Sequence, residues 1–268
     1  MISTEELANK ARIEIVQMAH HARASHVASS LSAVDILAVL YGECANISPA
    51  NIDQENRDIV ILSKGHAAAS LYSVLALKEF FPMEWLNNYC GDGSPIGGHV
   101  TFKGVPGVEL STGSLGHGLP YGLGIAIARK RLGIGGHVYV VMSDGECDEG
   151  TTWESALLAN QLLLNNLTVI IDRNFIQSLG STEETMRLEP FADKWEAFSW
   201  NVLTINGNRH EELKSAILQE TTSPKIIIAQ TTKGSGVKFM ENSVLWHYKW
   251  PDDSQLKDAL LELGVSGA

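Results

Sequence analysis

Asp144 and Asn174 stand thirty residues apart, each closely following a short apolar run, Val138–Met142 for the first and Leu167–Ile171 for the second. The interval holds one helical stretch, Thr151–Leu164, so the two runs fit parallel strands joined by a single crossover. Parallel neighbours lie about 4.8 Å apart, and the carboxyl ends of such strands are where open α/β sheets take ligands. A carboxylate and an amide oxygen would then converge on one rim. Mg²⁺ takes a few hard oxygen ligands from protein and fills its other positions with phosphate oxygens and water, so a metal-bridged diphosphate suits this pair. Gly145 would let the backbone approach that group closely. Taken singly, an Asp-Gly or an Asn after a strand is more often a turn than a metal site. The specific feature is the pair at one-crossover spacing, with Glu146, Glu149 and Glu154 between them.

The elements that must position these residues follow from the apolar pattern. Ser3 with Glu6 makes a capping-box pattern ahead of an amphipathic first helix that reaches about His21. A second helix is expected over Ser32–Tyr41 and a third from about His66 to Phe80, which Pro82 ends. Ile59–Leu62, Val138–Met142, Leu167–Ile171, Asn201–Ile205 and Lys225–Ala229 are β-branched runs of strand length that barely alternate. Such runs suit parallel strands covered on both faces. From Val138 onward helical stretches follow the strands, at Thr151–Leu164, Glu189–Phe198 and His210–Gln219. The fold class expected is α/β, a doubly wound, mainly parallel sheet with helices on both faces, in one domain spanning 1–268. Cys90–Gly124, rich in glycine and interrupted by Pro95, Pro106 and Pro120, breaks the rhythm and reads as a long, ordered binding loop.

Composition narrows the function. The chain has 268 residues, 44% hydrophobic and 19% charged, as a globular protein does. Its formal net charge of −11 repels phosphate backbones and anionic lipid, so no nucleic-acid or membrane partner is expected. The longest unbroken apolar run, Ile36–Tyr41, is far short of the roughly 20 residues of a membrane span. Glu5 and Glu6 near the N-terminus do not fit a secretory or transit signal. Cys44, Cys90 and Cys147 are odd in number and lack a CxxC pattern, which speaks against a disulfide framework or a cysteine zinc site and for a reducing cytoplasm.

Four ordered motifs carry a family resemblance. SDGECDEGTTWESALLANQLLLNNLTVIIDRNFIQ, Ser143–Gln177, resembles the thiamine-diphosphate motif of transketolases, and SKGH at Ser63–His66, GGHV at Gly97–Val100 and STGSLGHG at Ser111–Gly118 agree with it in order. The resemblance runs from about Glu5 to Trp250 and implies the N-terminal, diphosphate-binding half of a transketolase, with the thiamine-diphosphate-binding fold. It implies thiamine diphosphate and Mg²⁺, or Ca²⁺ or Mn²⁺ in its place, as cofactors. Asp144, Asn174 and the carbonyl of Ile176 would be the metal ligands. His66 would stand beside the diphosphate, and the Gly113–Ser114–Leu115 turn would hold the aminopyrimidine. Gly145 and Glu146 would belong to the cofactor site. Glu149 and Glu154 would communicate between cofactor sites across an interface. His26, His99 and His247 would face the sugar as acid/base groups.

The chain departs from the family pattern mainly on the substrate side. Ser143 replaces a common Gly, SHVAS surrounds His26, a common Gln is lost around His117, and Tyr248 follows His247 where Gly is usual. No region resembles the pyrimidine-binding domain that supplies the activating glutamate. The resemblance therefore implies a split enzyme, an α2β2 assembly whose other polypeptide is the C-terminal transketolase subunit, with sugars or sugar phosphates for substrates. Two other readings stay open: an E1-like subunit passing a two-carbon acyl unit to a lipoyl or carrier protein, and a catalytically silent cofactor-binding module. A dinucleotide site is disfavoured, because no GxGxxG follows a first strand.

Overall fold

The computed structural model describes residues 2–266. Met1, Gly267 and Ala268, which the expected domain of 1–268 includes, lie outside the described residues. Five strands, β1 (Ile59–Leu62), β2 (Val138–Ser143), β3 (Leu167–Arg173), β4 (Asn201–Asn206) and β5 (Lys225–Gln230), form one sheet in the order β1-β2-β3-β5-β4. Every pairing is parallel.

The non-alternating runs have a simple origin. Successive side chains on a strand point to opposite faces, and here each face meets helices. Val60, Leu62, Tyr139, Val141, Ile170 and Ile227 share one core with residues of α1 (Thr4–Ala22), α2 (Val27–Val39), α3 (Ala68–Leu77), α8 (His210–Leu218) and α9 (Asp253–Glu262). Ile59, Ile61, Val138, Val140, Leu167, Val169 and Ile226 pack under α4 (Gly118–Leu132), α5 (Gly150–Gln161) and α7 (Phe191–Ala197). A single turn, α6 (Thr182–Thr185), lies between β3 and α7. The exception is β4, an edge strand whose residues are only half-buried or exposed.

Two elements differ from expectation. The binding loop ends at His117, because α4 starts at Gly118. The residues GLPYGLG at its start carry little helix propensity, but glycine lets α4 sit close on the sheet: a Cβ at Gly122 would lie 2.6 Å from Val140 Cγ2. The second helix begins five residues early, at Val27, and continues through a π-helical turn, Leu40–Cys44. The stretch Val27–Cys44 is long and apolar enough to cross a membrane by length and composition, contrary to the expectation drawn from unbroken runs, which Ser29, Ser30, Ser32 and Asp35 interrupt. It is 83% buried inside the fold and serves as a core helix.

Candidate functional site

The register of β2 with β3 pairs Ser143 with Asp172, so Asp144 and Asn174 leave the sheet side by side at its carboxyl edge. Asp144 Oδ1 accepts the Gly145 N–H at 2.8 Å, and Oδ2 accepts the Phe175 N–H at 2.8 Å and Arg173 Nη1 at 3.3 Å. Asn174 Oδ1 accepts the Ile176 N–H at 3.1 Å. Asp144, Asn174 and Ile176 all line one cavity of about 200 Å³.

Two buried ammonium groups face the same space. Lys64 is 0% exposed and Lys233 1%, and both line the cavity. Lys64 pairs with Asp172 and donates to the Ser29 carbonyl at 3.3 Å. Lys233 donates to the Ile176 carbonyl at 3.0 Å, and its Nζ lies 3.4 Å from His247 Nδ1. Burial, then the charge on Lys64, lowers Lys233 to about 8.

His26, His66, His99 and His247 also line the cavity. Ring centroids lie 4.9 Å apart for His26 and His247, 5.3 Å for His26 and His66, and 5.7 Å for His26 and His99. Burial first, then His99 and Lys233, pulls His26 down to about 4. Burial, then Lys233, pulls His247 to about 3, and burial with Lys64 holds His66 well below its usual range. These three rings are neutral at pH 7 and can exchange protons with hydroxyl groups. His26 sits in the left-handed region, φ 70°, at the start of α2, where its N–H donates to the His247 carbonyl at 2.9 Å. A non-glycine residue held there is a strained position of the kind found in binding sites.

The donor set fits a divalent cation with a diphosphate. Among the described residues no cluster of three His, Cys, Asp or Glu side chains could hold a metal. The candidate ligands are instead a carboxylate, an amide oxygen and a carbonyl, the hard oxygen set that Mg²⁺ accepts when phosphate supplies the rest. Ser29 Oγ is buried, lacks a hydrogen-bond partner and belongs to a cavity-lining residue. Such an atom is costly unless a ligand satisfies it.

Gly113, Leu115 and Gly145 also line the cavity. Glu146 lies behind it, fully buried, accepting Ser63 Oγ–H, the Gly116 N–H at 2.8 Å and the Ser143 N–H at 3.3 Å. Burial pushes its carboxyl up. Ser114, Glu149 and Glu154 are exposed and do not line the cavity, although Ser114 lies between the lining residues Gly113 and Leu115. The sequence patterns do not single out Lys64, Lys233, Ser29, Ser32, Asp172 or Gln177. Lys64 lies inside the SKGH motif, Asp172 and Gln177 inside the Ser143–Gln177 motif, and Ser29 inside SHVAS, whereas Ser32 and Lys233 lie in none of the quoted motifs.

Residues 3–265 match the family model described as transketolase, thiamine diphosphate binding domain. The chain is 39% identical over 266 residues to an apulose-4-phosphate transketolase subunit of Phocaeicola vulgatus, covering 98% of this chain and 94% of that one. It is 37% identical to the 6-deoxy-6-sulfo-D-fructose transketolase subunit SqwG of a Clostridium species, over 91% of this chain and 90% of that one. Among solved structures, transketolase from Campylobacter jejuni superposes with a TM-score of 0.91 at 32% identity, covering 97% of this chain but only 42% of its own. The parallel sheet, the oxygen donors at its edge and this near-complete overlap with subunit-length relatives agree: the chain belongs to the transketolase family, as its N-terminal, thiamine diphosphate binding subunit.

Proposed function

We propose that this chain pairs with a separate C-terminal subunit, two copies of each, to transfer a two-carbon ketol unit from a ketose to an aldose. The convergence of Asp144, Asn174 and the Ile176 carbonyl beside two buried lysines carries the reading. Asp144, Asn174 and Ile176 would hold Mg²⁺, with Ca²⁺ or Mn²⁺ able to replace it. Lys64, Lys233, His66 and the Ser29 hydroxyl would surround the diphosphate, and the Gly113–Ser114–Leu115 backbone would seat the aminopyrimidine. Thiamine diphosphate, when bound, supplies the nucleophilic carbon and the electron sink that carbon–carbon cleavage needs.

The protein's own share is orientation and proton transfer. His26, His99 and His247 would take and return protons at sugar hydroxyls, which the neutral state of His26 and His247 suits. Glu149 and Glu154, exposed here, would meet the other half of the assembly. The activating glutamate would come from the partner subunit. Relatives named for apulose 4-phosphate and 6-deoxy-6-sulfo-D-fructose support an anionic, specialised ketose as donor. They favour ketol transfer over acyl transfer to a lipoyl carrier and over a silent module. The three cysteines are free, which agrees with a cytoplasmic setting.

The test is ketol transfer by the chain co-purified with its partner, using apulose 4-phosphate, 6-deoxy-6-sulfo-D-fructose or xylulose 5-phosphate as donor and an aldose phosphate as acceptor. Transfer by the pair and none by the chain alone is expected. Full activity of the chain alone would overturn the split arrangement, and acyl delivery to a lipoyl carrier without ketol transfer would overturn the reaction.

A further inference from the structure

We infer that Ser32, in the second turn of α2, is a positioning residue that sets which way round the Asn174 amide stands. The inference rests on the metal reading above. An amide serves a cation only through its oxygen, and its two ends are nearly the same shape, so hydrogen bonds must choose between them.

Ser32 makes that choice through its single proton. Its hydroxyl donates to Asp172 Oδ2, on a carboxylate already paired with the Lys64 ammonium and also taking a hydrogen bond from Thr231 Oγ1. The other acceptor within reach of Ser32, the Ser29 carbonyl, is 3.4 Å away. With its proton committed to a carboxylate, Ser32 Oγ presents only a lone pair to Asn174. It accepts from Asn174 Nδ2 at 3.1 Å. Asn174 Oδ1 is then left to accept the Ile176 N–H and to face the cavity that Asp144 and Ile176 share.

A flipped amide would fail at both ends. It would set oxygen against oxygen at Ser32, and NH₂ against the N–H of Ile176. Water cannot relieve the clash at the Ser32 end, because Ser32 and Asp172 are 0% exposed. The five residues Ser32, Lys64, Asp172, Asn174 and Thr231 come from four distant parts of the chain: α2, the turn after β1, the end of β3 and the end of β5. Groups that orient a metal ligand typically change metal affinity 10- to 100-fold when removed.

The experiment titrates the full-length chain with Mn²⁺ in the presence of thiamine diphosphate, reading free Mn²⁺ by electron paramagnetic resonance. Ser32→Ala is expected to weaken Mn²⁺ uptake roughly tenfold, whereas Ser30→Ala, an equally buried serine of the same helix, keeps wild-type affinity. The Asn174 side-chain amide signals in a ¹⁵N spectrum are expected to move in Ser32→Ala and stay in place in Ser30→Ala. Unchanged affinity and unmoved signals in Ser32→Ala would overturn the inference, as would a lower melting temperature with unchanged affinity, which marks packing alone. Should Ser32→Ala not fold, Ser32→Cys keeps the shape with a weaker acceptor and is expected to give an intermediate loss; wild-type affinity there overturns the inference. No uptake by the wild-type chain together with its partner subunit would overturn the metal reading instead, and the amide signals would still decide the Ser32 bond.

Discussion

The Asp144 carboxylate, at the end of β2, accepts the backbone N–H of Phe175 at 2.8 Å, one residue beyond Asn174 on the end of β3. Two strand ends are thereby fastened by the side chain expected to hold the cation. Burial pushes this carboxyl up and Arg173 pulls it back, so Asp144 and the buried Arg173 guanidinium depend on each other. Asp144→Asn removes the charge and leaves Arg173 to Glu189 at 2.9 Å and Glu183 at 3.4 Å. Removing one partner of a buried pair costs about 3–5 kcal/mol. With two glutamates still near Arg173, a loss of about 3 kcal/mol is expected. Denaturant unfolding would measure it, and calorimetry of Mg²⁺ with thiamine diphosphate should show no binding.

Lys64 and Asp172 form a buried pair beneath the cavity. Lys64→Met strands a carboxylate with only Ser32 and Thr231 as donors, and a destabilisation of about 3 kcal/mol is expected. Lys64→Met with Asp172→Asn removes both charges and should be more stable than the sum of the single losses, because the stranded charge dominates each. Thiamine diphosphate affinity should stay low in both, since the ammonium is missing from both. A double-mutant cycle by urea denaturation, with parallel calorimetry, checks the two halves separately.

What the chain's order of residues reveals divides along physical lines. Asp144 and Asn174 are legible because strand ends and crossover length follow from local patterns, and the register of β2 with β3 places them as expected. Asp172 is not, because the apolar run closes at Ile171 and a buried carboxylate announces itself only through partners. Those partners, Ser32, Lys64 and Thr231, are 140, 108 and 59 residues away. The α4 start is hidden for the opposite reason: local propensity there is poor, and the close fit of Gly122 on Val140 is a tertiary fact. Glu149 and Glu154 remain exposed on this chain, so their expected role needs the partner surface.

His26 separates binding from chemistry. Its ring centroid lies within 6 Å of three other histidines, whereas the oxygens proposed to hold the metal come from other elements. His26→Asn in the assembled enzyme is expected to lower kcat about 100-fold, the low end for loss of an acid/base group, while Mg²⁺-dependent thiamine diphosphate binding stays within about threefold of wild type. Steady-state kinetics with calorimetry would show this; an equal loss of binding would assign the ring to the cofactor instead.

Acid stability offers a check far from the site. His137 donates to or accepts from Thr168 Oγ1 at 2.8 Å and packs on Tyr139. Burial, opposed by Asp58 and aided by Lys225, lowers its pKa from 6.5 to about 4. Between these values the unfolded chain binds a proton that the folded chain refuses, so stability is full above pH 6.5 and falls as the pH drops toward 4. His26, His66 and His247 act in the same sense, and the raised carboxyls of Asp144 and Glu146 act against it. The net slope is therefore mixed, but the difference made by one ring is not. His137→Gln, which keeps a partner for Thr168, should flatten the fall in melting temperature between pH 6.5 and 4 and leave pH 8 stability nearly unchanged. Parallel melting curves for the two proteins across that range would contradict the buried, neutral state of His137.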